Sequence, residues 1–274
     1  MKHITLDEID WNELWKKSKS EKSFKSKKKE DWDKKAPSFA RRNSVSRYIE
    51  KFIELLEPQL TWSILDIGCG PGTLAIPLAK KVGTVTALDF SPAMLQILKQ
   101  RVQEEGLTNR TTHKLAWTDD WEKQGIDVHD VAIASRALAV DDLRSALEKL
   151  DTFASKQVVI TDRVGHGPFD PEVFAAVGRE LKTGPDYIYT VNLLYQMGIH
   201  ARVDFIELEK SLPCTSLEDA MEFYTWMFHD LTEEEKKRLK KYVQSITTST
   251  GDGTYSVVRK NVPTWAFIRW DPLT

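Results

Sequence analysis

Residues 64–75, ILDIGCGPGTLA, run an apolar stretch containing one acid straight into Gly68, Gly70 and Gly72. Glycine loses more chain entropy on folding than any other residue, so this density marks a backbone that turns sharply or lies against a ligand. The five residues from Ser63 read as a buried strand, and a short helix starts near Thr73, since Pro77 is tolerated only in a first turn. A second strand, 84–88, ends beside Asp89, 23 positions after Asp66.

The same rhythm continues downstream. Ser91 and Pro92 form an N-cap and first helical residue, Met94, Leu95, Leu98 and Val102 a buried stripe, and Gly106 a left-handed stop. The β-rich runs 130–134 and 157–161 flank the helical pattern DDLRSALEKLDTFA. Strand and helix alternate, which implies a parallel sheet with helices on both faces. Upstream, Val45, Tyr48, Ile49, Phe52, Ile53 and Leu56 recur at spacings of three and four until Pro58, predicting a helix that packs on that sheet. After Asp162 come a loop, a helical PEVFAAVGREL, an aromatic-rich PDYIYTVNLLYQMG, a strand ARVDFIELE and two more helices. GTYSVVRKNVPTWAFIRW reads as two antiparallel strands around a polar turn.

A chain of 274 residues, 41% of them hydrophobic, fills one large α/β domain or two small ones. Its net charge of −2 gives no overall pull toward nucleic acid or anionic membrane. That charge is segregated: residues 16–35 hold ten lysines and four acids, and the rest of the chain carries −8. Such a run is either a solvated lead segment, partly disordered, or a contact for an anionic substrate such as RNA. Cys69 and Cys214 stand alone, without Cys or His at ligand spacing, so neither a disulfide framework nor a metal site is expected. With no apolar leader and no stretch of about 18 apolar residues, the expected location is the cytoplasm. No residue pattern specifies an oligomer.

In an open parallel sheet the ligand crevice lies beyond the carboxyl ends of the strands. A nicotinamide cofactor prefers G-x-G-x-x-G, but the third position counted from Gly68 is Thr73, the wrong register. Asp89 suits any adenosine, because a carboxylate accepts hydrogen bonds from both ribose hydroxyls. Asp66 suits a ligand with an ammonium group and no pyrophosphate.

LDIGCGPG followed by ALDFS resembles motifs I and II of the class I S-adenosylmethionine-dependent methyltransferases, a likeness that extends over roughly residues 63–162. The resemblance implies a Rossmann-like, mostly parallel seven-stranded sheet with an antiparallel C-terminal edge strand. Residues 1–58 then form a helical cover, 59–162 the cofactor-binding core, 163–250 a substrate-side insertion or lid with one core strand, and 251–274 strands completing the sheet. With S-adenosylmethionine as cofactor, Asp66 lies near the methionine ammonium, Gly68, Gly70 and Gly72 let the backbone approach, Asp89 holds the ribose diol, and Phe90 flanks the adenine. In LAWTDDW, Ala116 and Trp117 line the adenine pocket and either Asp119 or Asp120 meets its exocyclic amine; Trp117 and Trp121 have packing as the alternative. Ser135 falls near the transferred methyl. Arg136 is a surface residue, or meets the cofactor carboxylate or an acidic substrate.

Methyl transfer needs alignment and water exclusion more than a base. Candidates for a proton-handling group are Asp162, His166, Tyr187, Tyr189, Tyr195, His200 and His229, with His166 best placed by topology and none singled out as the base. ASRAL stands where methyltransferases of exocyclic base amines and protein amides often carry Asn/Asp-Pro-Pro-aromatic. That departure favours a small or medium organic acceptor. A tRNA or rRNA base is the alternative supported by the lysine run, and a non-catalytic cofactor-binding protein the alternative supported by the missing base.

Overall fold

Strands such as SILDI and DVAIA are apolar at odd and even positions alike, and successive side chains of a strand point to opposite faces. They are therefore stable only with both faces covered. In the computed structural model, which describes residues 5–24, 29–42, 46–251 and 254–273, they are so covered. The strands are β1 (Ser63–Ile67), β2 (Thr84–Asp89), β3 (Arg110–Lys114), β4 (His129–Ser135), β5 (Ala154–Arg163), β6 (Arg202–Glu207), β7 (Ser211–Cys214), β8 (Thr247–Ser249), β9 (Tyr255–Val258) and β10 (Thr264–Trp270). Seven of them form one sheet in the order β3-β2-β1-β4-β5-β10-β6. β3, β2, β1, β4 and β5 are parallel, and β10 runs antiparallel between β5 and the outermost β6.

The helices are α1 (Trp11–Ser20), α2 (Lys29–Arg42), α3 (Arg47–Leu56), α4 (Ala75–Ala79), α5 (Pro92–Glu104), α6 (Leu143–Thr152), α7 (Pro171–Val177), α8 (Tyr187–Gln196), α9 (Leu217–Thr225) and α10 (Glu233–Ser245). One face of the sheet presents Leu65, Ala132, Val158 and Ile268 to α6, α8 and Trp15 of α1. The other presents Ile64, Val131, Val159 and Phe267 to α3, α4 and α5. The α3 stripe is buried at Tyr48, Phe52 and Leu56, and Glu57 closes the helix in the left-handed region just before Pro58; Val45 lies outside the described residues.

Two readings of the sequence need correction. The segments of GTYSVVRKNVPTWAFIRW do not pair with each other: β9 joins β7 and β8 in a separate three-stranded sheet, and only β10 enters the main one. Their burial explains the split, because TWAFIRW is buried on both faces while YSVV buries only Val257, which packs with α7, α9 and α10. The lysine-rich run is not a simple solvated lead. Residues 16–20 and 29–35 are helical, Lys16 pairs with Asp142 at 2.8 Å and Lys19 with Asp141 at 2.9 Å, which docks α1 on the start of α6. Its positive charge is spent partly inside the chain.

Gly72 (φ +84°) sits where a Cβ would come within 2.4 Å of Leu98 Cδ1 and 3.0 Å of Ile76. Gly72→Ala therefore combines overpacking with left-handed strain, and a loss of about 2–4 kcal/mol is expected in urea unfolding. A neutral effect would show that α4 and α5 do not close on this glycine.

Candidate active site

The turn after β1 is held by its neighbour strand. Gly68 and Cys69 both donate their amides to the Leu88 carbonyl, at 2.8 and 3.0 Å. Gly70 donates to one oxygen of Asp89 and Ser91 to the other, both at 2.8 Å. Gly68 and Gly70 have φ of +67° and +56°; a Cβ on Gly68 would clash with Ala137 at 2.7 Å, and one on Gly70 would meet only Phe39 Cε1, at 3.9 Å. Asp89 is buried, and burial pushes its carboxyl above the usual range although the two amides oppose this. On its far side Asp33 of α2 accepts from the Ser91 hydroxyl at 2.5 Å, fastening α2 across the start of α5.

A cavity of about 470 Å³ opens over these strand ends. Asp66, Gly68, Gly70, Asp89, Phe90, Ala116, Trp117, Ser135, Arg136 and Asp162 all line it. Asp66 is its chemical centre. Its Oδ2 is buried without a hydrogen-bond partner, and burial, then the charge of Asp89, push its carboxyl up to about 7 against the opposing Ala75 amide. A buried carboxylate oxygen with no partner fits a cationic or hydrogen-donating ligand beside the glycine turn. That is the fit expected for the ammonium of S-adenosylmethionine.

The far wall belongs to β4, β5 and β10. The Tyr48 hydroxyl joins Ser135 Oγ at 2.6 Å and Thr161 Oγ1 at 2.7 Å, a buried cluster that also takes the Arg136 amide, at 3.0 Å from Thr161 Oγ1. Arg136 is held at φ +55°, with its guanidinium carbon 4.2 Å from the Tyr48 ring centre and 5.8 Å from that of Trp265. Asp162 accepts from Thr190 Oγ1 at 2.7 Å and the Arg163 amide at 2.8 Å, and burial pushes its carboxyl upward. Trp117 ties the loop after β3 to the loop after β4 by donating to the Ala137 carbonyl at 3.1 Å.

Other candidates lie elsewhere. Gly72 is outside the cavity wall and serves helix packing, as its contacts with Leu98 and Ile76 show. Asp119 accepts from the Ala116 amide at 2.7 Å and Asp120 pairs with Lys123, so both shape or border the loop instead of lining the cavity. Trp121 is core. His166, Tyr187, Tyr189, Tyr195 and His200 do not line the cavity; Tyr195 stacks on His200 at the surface, and Tyr187 and Tyr189 pack around α8. His229 does line it. Sequence reasoning missed the roof: Trp15, Phe24, Trp32 and Phe39 from the N-terminal helices and their link, and Phe169 and Trp226 from the insertion. Their spacing carried no motif, and the lysines around them masked the apolar face.

Because the folded protein holds the Asp66 proton up to about 7 against an ordinary 3.8, this group's contribution to stability is full below pH 3.8 and is lost as pH rises through about 7. The stability difference between wild type and Asp66→Asn should therefore move against wild type from pH 5 to pH 8 in denaturant titrations. A difference independent of pH would mean Asp66 is not desolvated.

A family model described as a methyltransferase domain matches residues 64–156, the stretch from β1 into β5. An uncharacterized protein of Haemophilus influenzae is 37% identical over 243 residues, covering 88% of each chain. An aklanonic acid methyltransferase of a Streptomyces species is 29% identical over 129 residues, 46% of this chain and 55% of that protein. A putative methyltransferase of Bacillus halodurans shares the fold at 14% identity, with a TM-score of 0.56 over 82% of this chain and 99% of that one. Residues 64–156 are a methyltransferase domain of the class I, S-adenosylmethionine-dependent kind, set in the fold that the Bacillus halodurans protein shares.

Proposed function

We propose that this methyltransferase holds S-adenosylmethionine over β1 and β2 and methylates a small or medium organic acceptor over β4, β5 and β10. The observation that carries the cofactor half is the unpartnered, buried Oδ2 of Asp66 in the cavity that Gly68 and Gly70 also line. In this reading Asp66 faces the methionine ammonium, Asp89 keeps lone pairs for the ribose diol beyond its bonds to Gly70 and Ser91, and Phe90, Ala116 and Trp117 border the adenine.

When bound, the cofactor supplies a methyl group on a sulfonium, open to in-line attack by a lone pair of the acceptor. The chain's own part is alignment and dryness. Aromatic side chains from α1, α2 and the insertion roof the cavity, and a reaction that discharges a cation benefits from excluded water. The insertion serves as the substrate-side lid. Of the proton-handling candidates, Asp162 lies in the wall with a carboxyl that burial makes more basic. It takes the proton from acceptors that must lose one. The aromatic lining of the cavity and the internal pairing of Lys16 and Lys19 support an organic acceptor over a nucleic acid, and so does the relative named for aklanonic acid.

Titration calorimetry with S-adenosylhomocysteine should give saturable one-site binding, weakened at least tenfold in Asp89→Ala while the variant stays folded by circular dichroism. Asp89→Ala with unchanged affinity would remove the ribose assignment, and NAD binding in place of S-adenosylhomocysteine would remove the cofactor assignment.

A further inference from the structure

Arg136 is over-determined for a residue with nothing to hold. It sits at φ +55°, a left-handed conformation that costs a side-chain-bearing residue free energy and that surrounding structure must enforce. The enforcement is visible: Tyr48, Ser135 and Thr161 share their hydroxyls around its amide, and Thr161 receives that amide on both its hydroxyl and its carbonyl. The strain aims the guanidinium into the cavity, where the faces of Tyr48 and Trp265 hold it. Among the described residues it donates no side-chain hydrogen bond and has no carboxylate partner. Other cations of the wall are engaged: Lys19 bonds to Asp141 and the Val140 carbonyl, and Arg163 to the Pro185 carbonyl with Asp162 and Asp186 nearby.

Arg136 stands at the boundary between the two halves of the cavity. It leaves β4, the strand beside β1, and a Cβ on Gly68 of the glycine turn would meet its neighbour Ala137 at 2.7 Å, while its own guanidinium reaches Trp265 of β10, two strands beyond β4. A planar fork of donors held between aromatic faces recognises a planar anion, and one unpaired guanidinium balances one negative charge. Phe169, Trp226, Met227 and Trp265 line the same cavity and offer apolar surface to the rest of a ligand, with Thr161 and Asp162 among the polar groups of the lining.

Resting on the methyltransferase reading above, we propose that the methyl acceptor is an apolar organic acid whose carboxylate docks on Arg136, with Tyr48 as the positioning residue that holds Arg136 in its strained conformation. A carboxylate bound there keeps the rest of the molecule between the aromatic roof and the transferable methyl.

The probe is an isosteric pair, 2-naphthoate and 2-naphthamide, titrated into protein saturated with S-adenosylhomocysteine and followed by tryptophan fluorescence. Wild type is expected to bind the carboxylate about tenfold or more tighter than the amide, the size of a desolvated charge-assisted pair. Arg136→Met should erase that preference, Arg136→Lys should keep part of it, and both should bind S-adenosylhomocysteine as wild type does. Equal binding of the pair, no saturable binding of naphthoate, or a preference that survives Arg136→Met overturns the proposal. So does a tenfold loss of S-adenosylhomocysteine affinity in Arg136→Met with 5′-methylthioadenosine affinity intact, since Arg136 would then serve the cofactor's carboxylate. Failure of wild type to bind S-adenosylhomocysteine at all would instead strike the methyltransferase reading itself.

Discussion

Two carboxylates buried at the ends of adjacent parallel strands govern the rest of this molecule. Asp66 and Asp89 each raise the cost of ionising Asp66, one through its own burial and the other through its charge. Neither would be kept in an apolar sheet for stability alone, since an unpaired buried carboxylate costs several kcal/mol or drives its own protonation. Asp89 is compensated by the Gly70 and Ser91 amides, and the Gly70 bond, with those of Gly68 and Cys69 to the Leu88 carbonyl, holds the glycine turn against β2. Asp66 keeps one oxygen uncompensated. The fold thus leaves an electrostatic demand that a cationic ligand would meet, and Gly72 lets α4 and α5 close behind it.

The order of strands divides the cavity by chemistry. On the β1–β2 side the groups are two carboxyls and backbone amides; on the β4–β5–β10 side they are a hydroxyl cluster, a stacked arginine, the buried Asp162 and aromatic rings. The antiparallel β10, inserted between β5 and β6, brings Trp265 to that second side, so the C-terminal strand contributes to the site as well as to the sheet. The N-terminal helices close the top, with Asp33 pinning α2 to the start of α5 and the pairing of Lys16 and Lys19 pinning α1 to α6.

The core was legible because its signals are local. Two-sided apolar runs, the Ser91-Pro92 cap and the glycine spacing each express a constraint satisfied within a few residues, and Asp66, Gly68, Gly70 and Asp89 line the cavity together. What escaped the sequence depends on distant pairing. The roof is formed by Trp15, Trp32 and Phe39, embedded in a lysine-rich run whose hydration is the natural reading until Asp141 and Asp142 are seen opposite it. β9 has too little apolar surface to betray which sheet it joins. Tyr48 reads as one more core residue of an amphipathic helix, and only its hydroxyl bonds to β4 and β5 reveal its part in holding Arg136.

The titration of Asp66 itself, followed by its carboxyl carbon resonance in the free protein and with S-adenosylhomocysteine, reaches the centre of this arrangement. The free protein should give a midpoint near 7, set by burial and by Asp89, and the bound cofactor's ammonium should pull it well below neutral. A midpoint in the ordinary aspartate range without ligand, or one that the cofactor leaves unmoved, would contradict the role of Asp66 as the cation-seeking group of the site.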